Sequence, residues 1–209
     1  MKNLFLTCTI LALLSSCNQK KNTEKQEVQE EKPETTIVKE ASEDGKGQIY
    51  KTKSGKTFTV TEEKLSASIS KITVLPMGFS EVNDELQMEE GDPFDHAFIA
   101  DINNDGFDEL YVITRGAGSG SYAKIYGFAS NKDKSVTPIY VPELSDDDFV
   151  TLYKGYMGHD TFYVENNKLF RKYPVYKKED TNANPTGGEN ILEYQLKMGE
   201  AAWILEIKK

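Results

Sequence analysis

The chain has 209 residues, with 34 acidic against 25 basic side chains, a formal charge of −9 and only two cysteines. So acidic a chain carries no electrostatic footprint for nucleic acid, and no nucleic-acid partner is expected. Two cysteines are too few for a disulfide framework, so stability must come from an ordinary hydrophobic core.

At the start, Lys2 and Asn3 precede an apolar run from Leu4 to Leu14, followed by Ser15, Ser16 and Cys17. A short basic beginning, a brief apolar segment and small residues before a cut describe an export signal. The run is shorter than the roughly 20 residues that span a bilayer. Leu14-Ser15-Ser16-Cys17 resembles the lipobox of bacterial lipoproteins, which implies removal of residues 1–16 and acylation of Cys17. Cys8 would leave with the signal, and the remaining cysteine would carry lipid. The expected place is the bacterial cell envelope, anchored to a membrane through Cys17, with Asn18 favouring the outer membrane. Residues 17–47 are rich in Lys, Glu and Gln and lack aromatic side chains. Such a segment buries too little apolar surface to offset its ordering entropy, so it reads as a disordered tether.

Residues 48–209 suit a single domain of ordinary size. Ile49-Tyr50 and Thr57–Val60 flank a Ser54-Gly55 turn. Leu65, Ala67 and Ile69 alternate with serines, then the pattern slips by one to Ile72 and Val74, which reads as one strand with a bulge near Lys71. Asn166-Asn167 between Thr161–Val164 and Leu169–Tyr173 is a two-residue hairpin turn. Asn190–Leu196 and Trp203–Ile207 flank a second hairpin at Met198-Gly199-Glu200, with Trp203 in the core. Only Glu143–Tyr153 reads as helix, capped by Ser145 and favoured by Asp146, Asp147 and Asp148 at its N-terminus. Strands at this spacing with one short helix predict a mainly all-β fold, an antiparallel β-sandwich or a partly closed barrel.

The most informative stretch runs from Phe94 to Tyr126: a strand, an acidic turn, a strand, a glycine-serine loop and a third strand. In the turn, Asp101, Asn103, Asp105 and Glu109 place oxygen side chains at positions 1, 3, 5 and 9, with Gly106 at the sharp bend. Calcium takes about six to eight oxygens at about 2.3–2.6 Å, and alternate residues of a tight loop converge on one centre. The Phe107 carbonyl would add a fifth donor. This is not an EF-hand, because position 12 is Val112 and a strand follows directly. It looks like the calcium loops of integrin-type repeats; a plain polar turn would use the same residues without metal.

The loop after it runs Arg115-Gly116-Ala117-Gly118-Ser119-Gly120-Ser121-Tyr122. Three glycines in five residues suggest backbone at positive φ, standing clear of the sheet. The spacing fits neither a phosphate cradle nor a nucleophile elbow, since Ala117 and Ser121 stand where those motifs need glycine. A flexible hairpin loop is the plainer reading.

The order Asp-x-Asn-x-Asp-Gly-x-x-Glu-Leu, a short apolar strand, Arg115, then Gly-Ser-Gly-x-Tyr resembles the periplasmic inhibitors of invertebrate-type lysozyme. The close match covers roughly residues 94–128 and departs at Gly116, where that family often has serine; beyond about residue 140 there is no match. The resemblance implies a small antiparallel β domain whose loop enters the lysozyme active-site cleft. It makes Ser119 and Tyr122 the plug residues, shaped by Gly118 and Gly120, and lysozyme the protein partner. The alternative is a calcium-stabilised adhesion or ligand-binding module of the envelope. No nucleophile–base pair or carboxylate pair is legible, so an enzyme is not expected. His96 and His159 read as structural, and the tyrosines at 153, 156, 163, 173 and 176 as core or sheet-face residues rather than a carbohydrate platform.

Overall fold

The computed structural model describes residues 39–41 and 47–208. The expected leader, Cys17 and most of the tether lie outside the described residues. Within the stretch read as tether, Lys39–Ala41 pairs antiparallel with the first strand of the domain.

Three antiparallel sheets follow one another along the chain, each with its strands in sequence order. The first holds β1 (Lys39–Ala41), β2 (Gly47–Lys51), β3 (Thr57–Lys64), β4 (Ser70–Met77) and β5 (Leu86–Gln87). The second holds β6 (Phe94–Ala100), β7 (Glu109–Arg115), β8 (Ala123–Ser130) and β9 (Val136–Ile139). The third holds β10 (Thr161–Glu165), β11 (Lys168–Pro174), β12 (Glu189–Met198) and β13 (Trp203–Ile207). The fold is a mainly all-β, sandwich-like stack, and no sheet closes into a barrel among the described residues. No helix among them is long and apolar enough to cross a membrane.

Side-chain alternation on β7 shows how the sheets stack. Tyr111 and Ile113 pack with Phe98, Ile125, Phe162, Leu169, Tyr173 and Leu205, between the second and third sheets. Leu110 and Val112 pack with Tyr50, Phe58, Val60, Ile72 and Val74, against the first sheet. The second sheet is therefore the middle layer, apolar on both faces. This is why β7 reads as a nearly unbroken apolar run, whereas β4 and β12 alternate with solvent. At one corner the second and third sheets also join edge to edge. The Tyr140 N–H donates to the Trp203 carbonyl at 2.8 Å, and the Leu205 N–H to the Tyr140 carbonyl at 2.9 Å.

The hairpin turn at Asn166-Asn167 forms as expected, with both residues at positive φ (50° and 58°), as a turn that matches strand twist requires. Helix α1 (Asp146–Thr151) is capped by Ser145, whose Oγ accepts from the Asp148 N–H; the Asp148 carboxylate accepts from the Ser145 N–H in return. The Leu65–Val74 segment differs from expectation. Leu65 and Ser66 both donate backbone N–H to the Ile69 carbonyl, closing a turn between β3 and β4 rather than continuing one strand. The slip in alternation marks a reversal of chain direction, and Leu65 and Ile69 are exposed at its tip. The bulge lies instead in β6, where the register shifts between Phe94 and His96.

Candidate functional site

Strand β7 leads out of one chemically loaded segment and into another. Before it lies the acidic turn, residues 101–109. Carboxylate oxygens of Asp101, Asp105 and Glu109 come within 4.8 Å of one another. Asp101 Oδ1 and Oδ2 accept the backbone N–H groups of Asp105 and Gly106, both at 3.0 Å. Asn103 Oδ1 accepts from the Asp105 N–H at 3.0 Å, and Asp105 Oδ1 from the Phe107 N–H at 2.9 Å. Asn104 and Gly106 take positive φ (57° and 90°), so the sharp bend falls on the expected glycine. The turn thus brings the carboxylates of Asp101, Asp105 and Glu109 together, and ties Asn103 and Phe107 into the same bend through their hydrogen bonds with Asp105.

Glu109 is fully buried. Its Oε2 accepts from the Ile102 N–H at 3.0 Å, but its Oε1 has no hydrogen-bond partner. Burial pushes its pKa up to about 8; the Ile102 N–H opposes this, and the charges of Asp105, Asp101 and Asp108 add to it. The Tyr111 hydroxyl, two residues on and on the same side of the strand, is also buried; it makes no hydrogen bond of ordinary geometry and faces the Glu109 carboxylate. Its pKa lies well above the usual tyrosine value, chiefly through burial and then through the charges of Glu109 and Asp101. Of the four carboxylates in the turn, only Asp108 has a cationic partner among the described residues. Lys53 meets it with its backbone N–H at 2.6 Å and its Nζ at 3.4 Å.

After β7 comes the loop 116–122. Ser119 and Tyr122 are exposed, Tyr122 to 47 %. The expectation of positive φ at the glycines is not met: Gly116, Gly118 and Gly120 keep negative φ, and Ser121 takes the left-handed conformation instead, at 45°. Gly120 serves a different need. A Cβ there would collide with the Tyr122 ring, which folds back over it. Nor does the loop stand clear. Arg115, paired with Asp95 at the β6 bulge (2.8 Å), donates from Nη1 to the Ser121 carbonyl at 3.0 Å. Two loops of the third sheet brace its outer side. The His159 N–H donates to the Gly120 carbonyl at 2.8 Å, and Asn182 Nδ2 to the Ser119 carbonyl at 2.7 Å. Gly158 approaches so closely that a Cβ there would strike the Gly120 carbonyl oxygen.

Beneath Tyr122 lies a buried cluster that no local pattern in the sequence marks. The Tyr122 ring meets Tyr156 edge-on at 5.5 Å, and Tyr156 meets Tyr153 and Tyr173 in the same manner. At the centre, Arg171 donates from Nε to Asp160 Oδ2 at 2.7 Å, from Nη1 to the Tyr153 hydroxyl at 2.8 Å and from Nη2 to the Tyr156 hydroxyl at 2.6 Å. Its guanidinium also lies about 5 Å from the ring centroids of Tyr153, Tyr156 and Phe162. Burial alone pulls the Arg171 pKa down, but the oxygens of Tyr153, Tyr194, Asp160 and Tyr156 reverse this and hold it above the ordinary arginine value. Asp160 Oδ1 accepts from the Ala123 N–H at 3.0 Å, so the cluster also grips the root of the loop. The tyrosines at 153, 173 and 176 are buried, as expected of core residues. His159 lies near Tyr176 and Asn182, and His96 beside Asp95. Ser119 and Tyr122 are thus both exposed on the loop, Gly120 fits the Tyr122 ring above it, and a Cβ at Gly118 would meet open space.

No protein-family model matches the chain, and neither does any curated protein or solved structure.

Proposed function

We propose that the protein is an envelope-anchored inhibitor that inserts the loop 116–122 into the active-site cleft of a lysozyme. The observation that carries this reading is the exposed Tyr122 ring, held over Gly120 and against Tyr156 on a loop braced from three sides. A loop ordered before binding loses less entropy when it docks, and tyrosine supplies a large rigid contact at little rotamer cost. Lysozymes cleave glycan with carboxylates set in a groove. The Ser119 and Tyr122 hydroxyls, on a loop with no charged side chain from 116 to 122, have the donors to meet such carboxylates. The formal charge of −9, or −10 once Lys2 leaves with the leader, draws the protein towards cationic enzymes at low salt.

The test is a cell-wall lysis assay in which purified protein is added to lysozymes of invertebrate, chicken and goose types. Inhibition of at least one type is expected. The double variant Ser119→Ala, Tyr122→Ala should weaken it by roughly 30-fold or more, the loss of a binding hot spot. A double variant that inhibits as well as wild type would mean another surface does the work. If no lysozyme is inhibited, the inhibitor reading falls, and an adhesion or ligand-binding module of the envelope takes its place.

A further inference from the structure

The acidic turn draws together negative charge that the protein itself leaves unanswered. Asp101, Asp105 and Glu109 converge, and no Lys, Arg or His pairs with any of them among the described residues. A cluster of carboxylates alone is common and means little. Here, however, Glu109 is wholly buried, contributes a carboxylate oxygen to that cluster and leaves its Oε1 without a hydrogen-bond partner, with the Tyr111 hydroxyl buried beside it. A buried carboxylate oxygen without a donor is costly, and a bound cation is one of the ways in which proteins answer it.

Every candidate ligand is oxygen, which selects a hard cation over zinc or copper. Two oxygens at about 2.4 Å from a shared ion lie at most about 4.8 Å apart, the spread the three carboxylates show. Asn103 Oδ1 and the Phe107 carbonyl bring the chain's donors to five, short of the six to eight oxygens calcium takes, with water to complete the shell. Magnesium would need an almost ideal octahedron at about 2.0–2.1 Å, which this irregular set does not prefigure.

The turn also touches both outer layers. Asp108 holds the β2–β3 turn through Lys53, and Asn104 Oδ1 accepts from Asn167 Nδ2, in the β10–β11 turn, at a long 3.4 Å. We propose that Asp101, Asn103, Asp105, Glu109 and the Phe107 carbonyl bind one calcium ion, and that this ion fastens all three sheets at one end of the stack. The site stands whatever partner the loop takes.

The experiment uses the purified full chain, stripped with EDTA, then titrated with calcium chloride or magnesium chloride alone by calorimetry and thermal melting. Calcium should give a one-to-one heat and raise Tm by roughly 5–10 °C at a hundredfold excess over its Kd, with a smaller rise for magnesium. Glu109→Gln should abolish the calcium shift. Asp105→Asn, at an exposed ligand that leaves the core untouched, should weaken calcium at least tenfold and guards against a Glu109 variant that fails to fold. Amide exchange should slow on calcium addition at Lys53 and Asn167 as well as within 101–109. No heat and no Tm change with wild type overturn the site. Protection confined to 101–109 overturns the fastening of the outer sheets.

Discussion

Two carboxylates are buried without measurable exposure at the two ends of β7, and their surroundings are opposite. Asp160, below the glycine loop, is met by the Arg171 guanidinium and the Ala123 N–H, and Arg171 in turn is met by two phenols. Glu109, below the acidic turn, is met by one backbone N–H and three neighbouring negative charges. One end carries its own counter-charge and is complete as folded. The other has no counter-charge of its own among the described residues. A buried charge costs several kcal/mol unless paired and hydrogen-bonded, so the difference says which end is built around the chain alone.

The largest effect expected from breaking this contrast is at Arg171. Arg171→Leu fills similar volume but leaves Asp160 buried with only the Ala123 N–H, and removal of one partner of a buried pair costs about 3–5 kcal/mol. Thermal melting should show a Tm lower by roughly 10 °C or more, at about 2–4 °C per kcal/mol for a domain of this size. The double variant Arg171→Leu, Asp160→Leu should recover much of the loss. If the double variant melts no higher than the single one, the cost lies in the aromatic contacts of the guanidinium rather than in the stranded carboxylate.

The two ends are not equally legible in the sequence. The acidic turn is local: nine consecutive residues carry its carboxylates and its bend, so spacing alone brings Asp101, Asp105 and Glu109 together and puts the bend at Gly106. The Asn166-Asn167 turn and the Ser145 cap are local in the same way. The Arg171 cluster joins a strand of the third sheet to the root of a loop in the second, and Asp160 and Ala123 are 37 residues apart. No periodicity connects them. The glycine loop was legible in its tip and not in its support, because composition reports that Gly116, Gly118 and Gly120 lack side chains but not why. At Gly120 the reason is the Tyr122 ring. At Leu65–Ile69 the alternating serines look the same in a strand as in a turn between two strands.

A middle-sized effect sharpens the claim that the loop is pre-shaped. Gly158 takes φ +90° and abuts the Gly120 carbonyl. Gly158→Ala should lower stability by about 1–3 kcal/mol from the unfavourable backbone conformation alone. It should also displace the loop and weaken inhibition in the lysis assay. Gly120→Ala makes the complementary test, since its Cβ meets only the Tyr122 ring: stability should change by about 1 kcal/mol or less while inhibition falls. If Gly120→Ala inhibits normally, the seat of the Tyr122 ring is not what shapes the contact. At the helix, Ser145→Ala removes the capping box and should cost about 1 kcal/mol with no effect on the loop.

The smallest effect bears on the other end of β7. The Tyr111 hydroxyl is buried facing Glu109 and makes no hydrogen bond of ordinary geometry. In protein stripped of divalent cations, Tyr111→Phe removes a polar group that folding had left unsatisfied. Stability measured by denaturant unfolding should therefore hold or rise, by about 1 kcal/mol at most. A fall of more than about 1 kcal/mol would mean that the hydroxyl donates to the Glu109 carboxylate in solution. Glu109 would then have a second donor, and the contrast with Asp160 would narrow to one of degree. With calcium present the same substitution should matter even less, because an ion rather than a phenol would answer the buried charge.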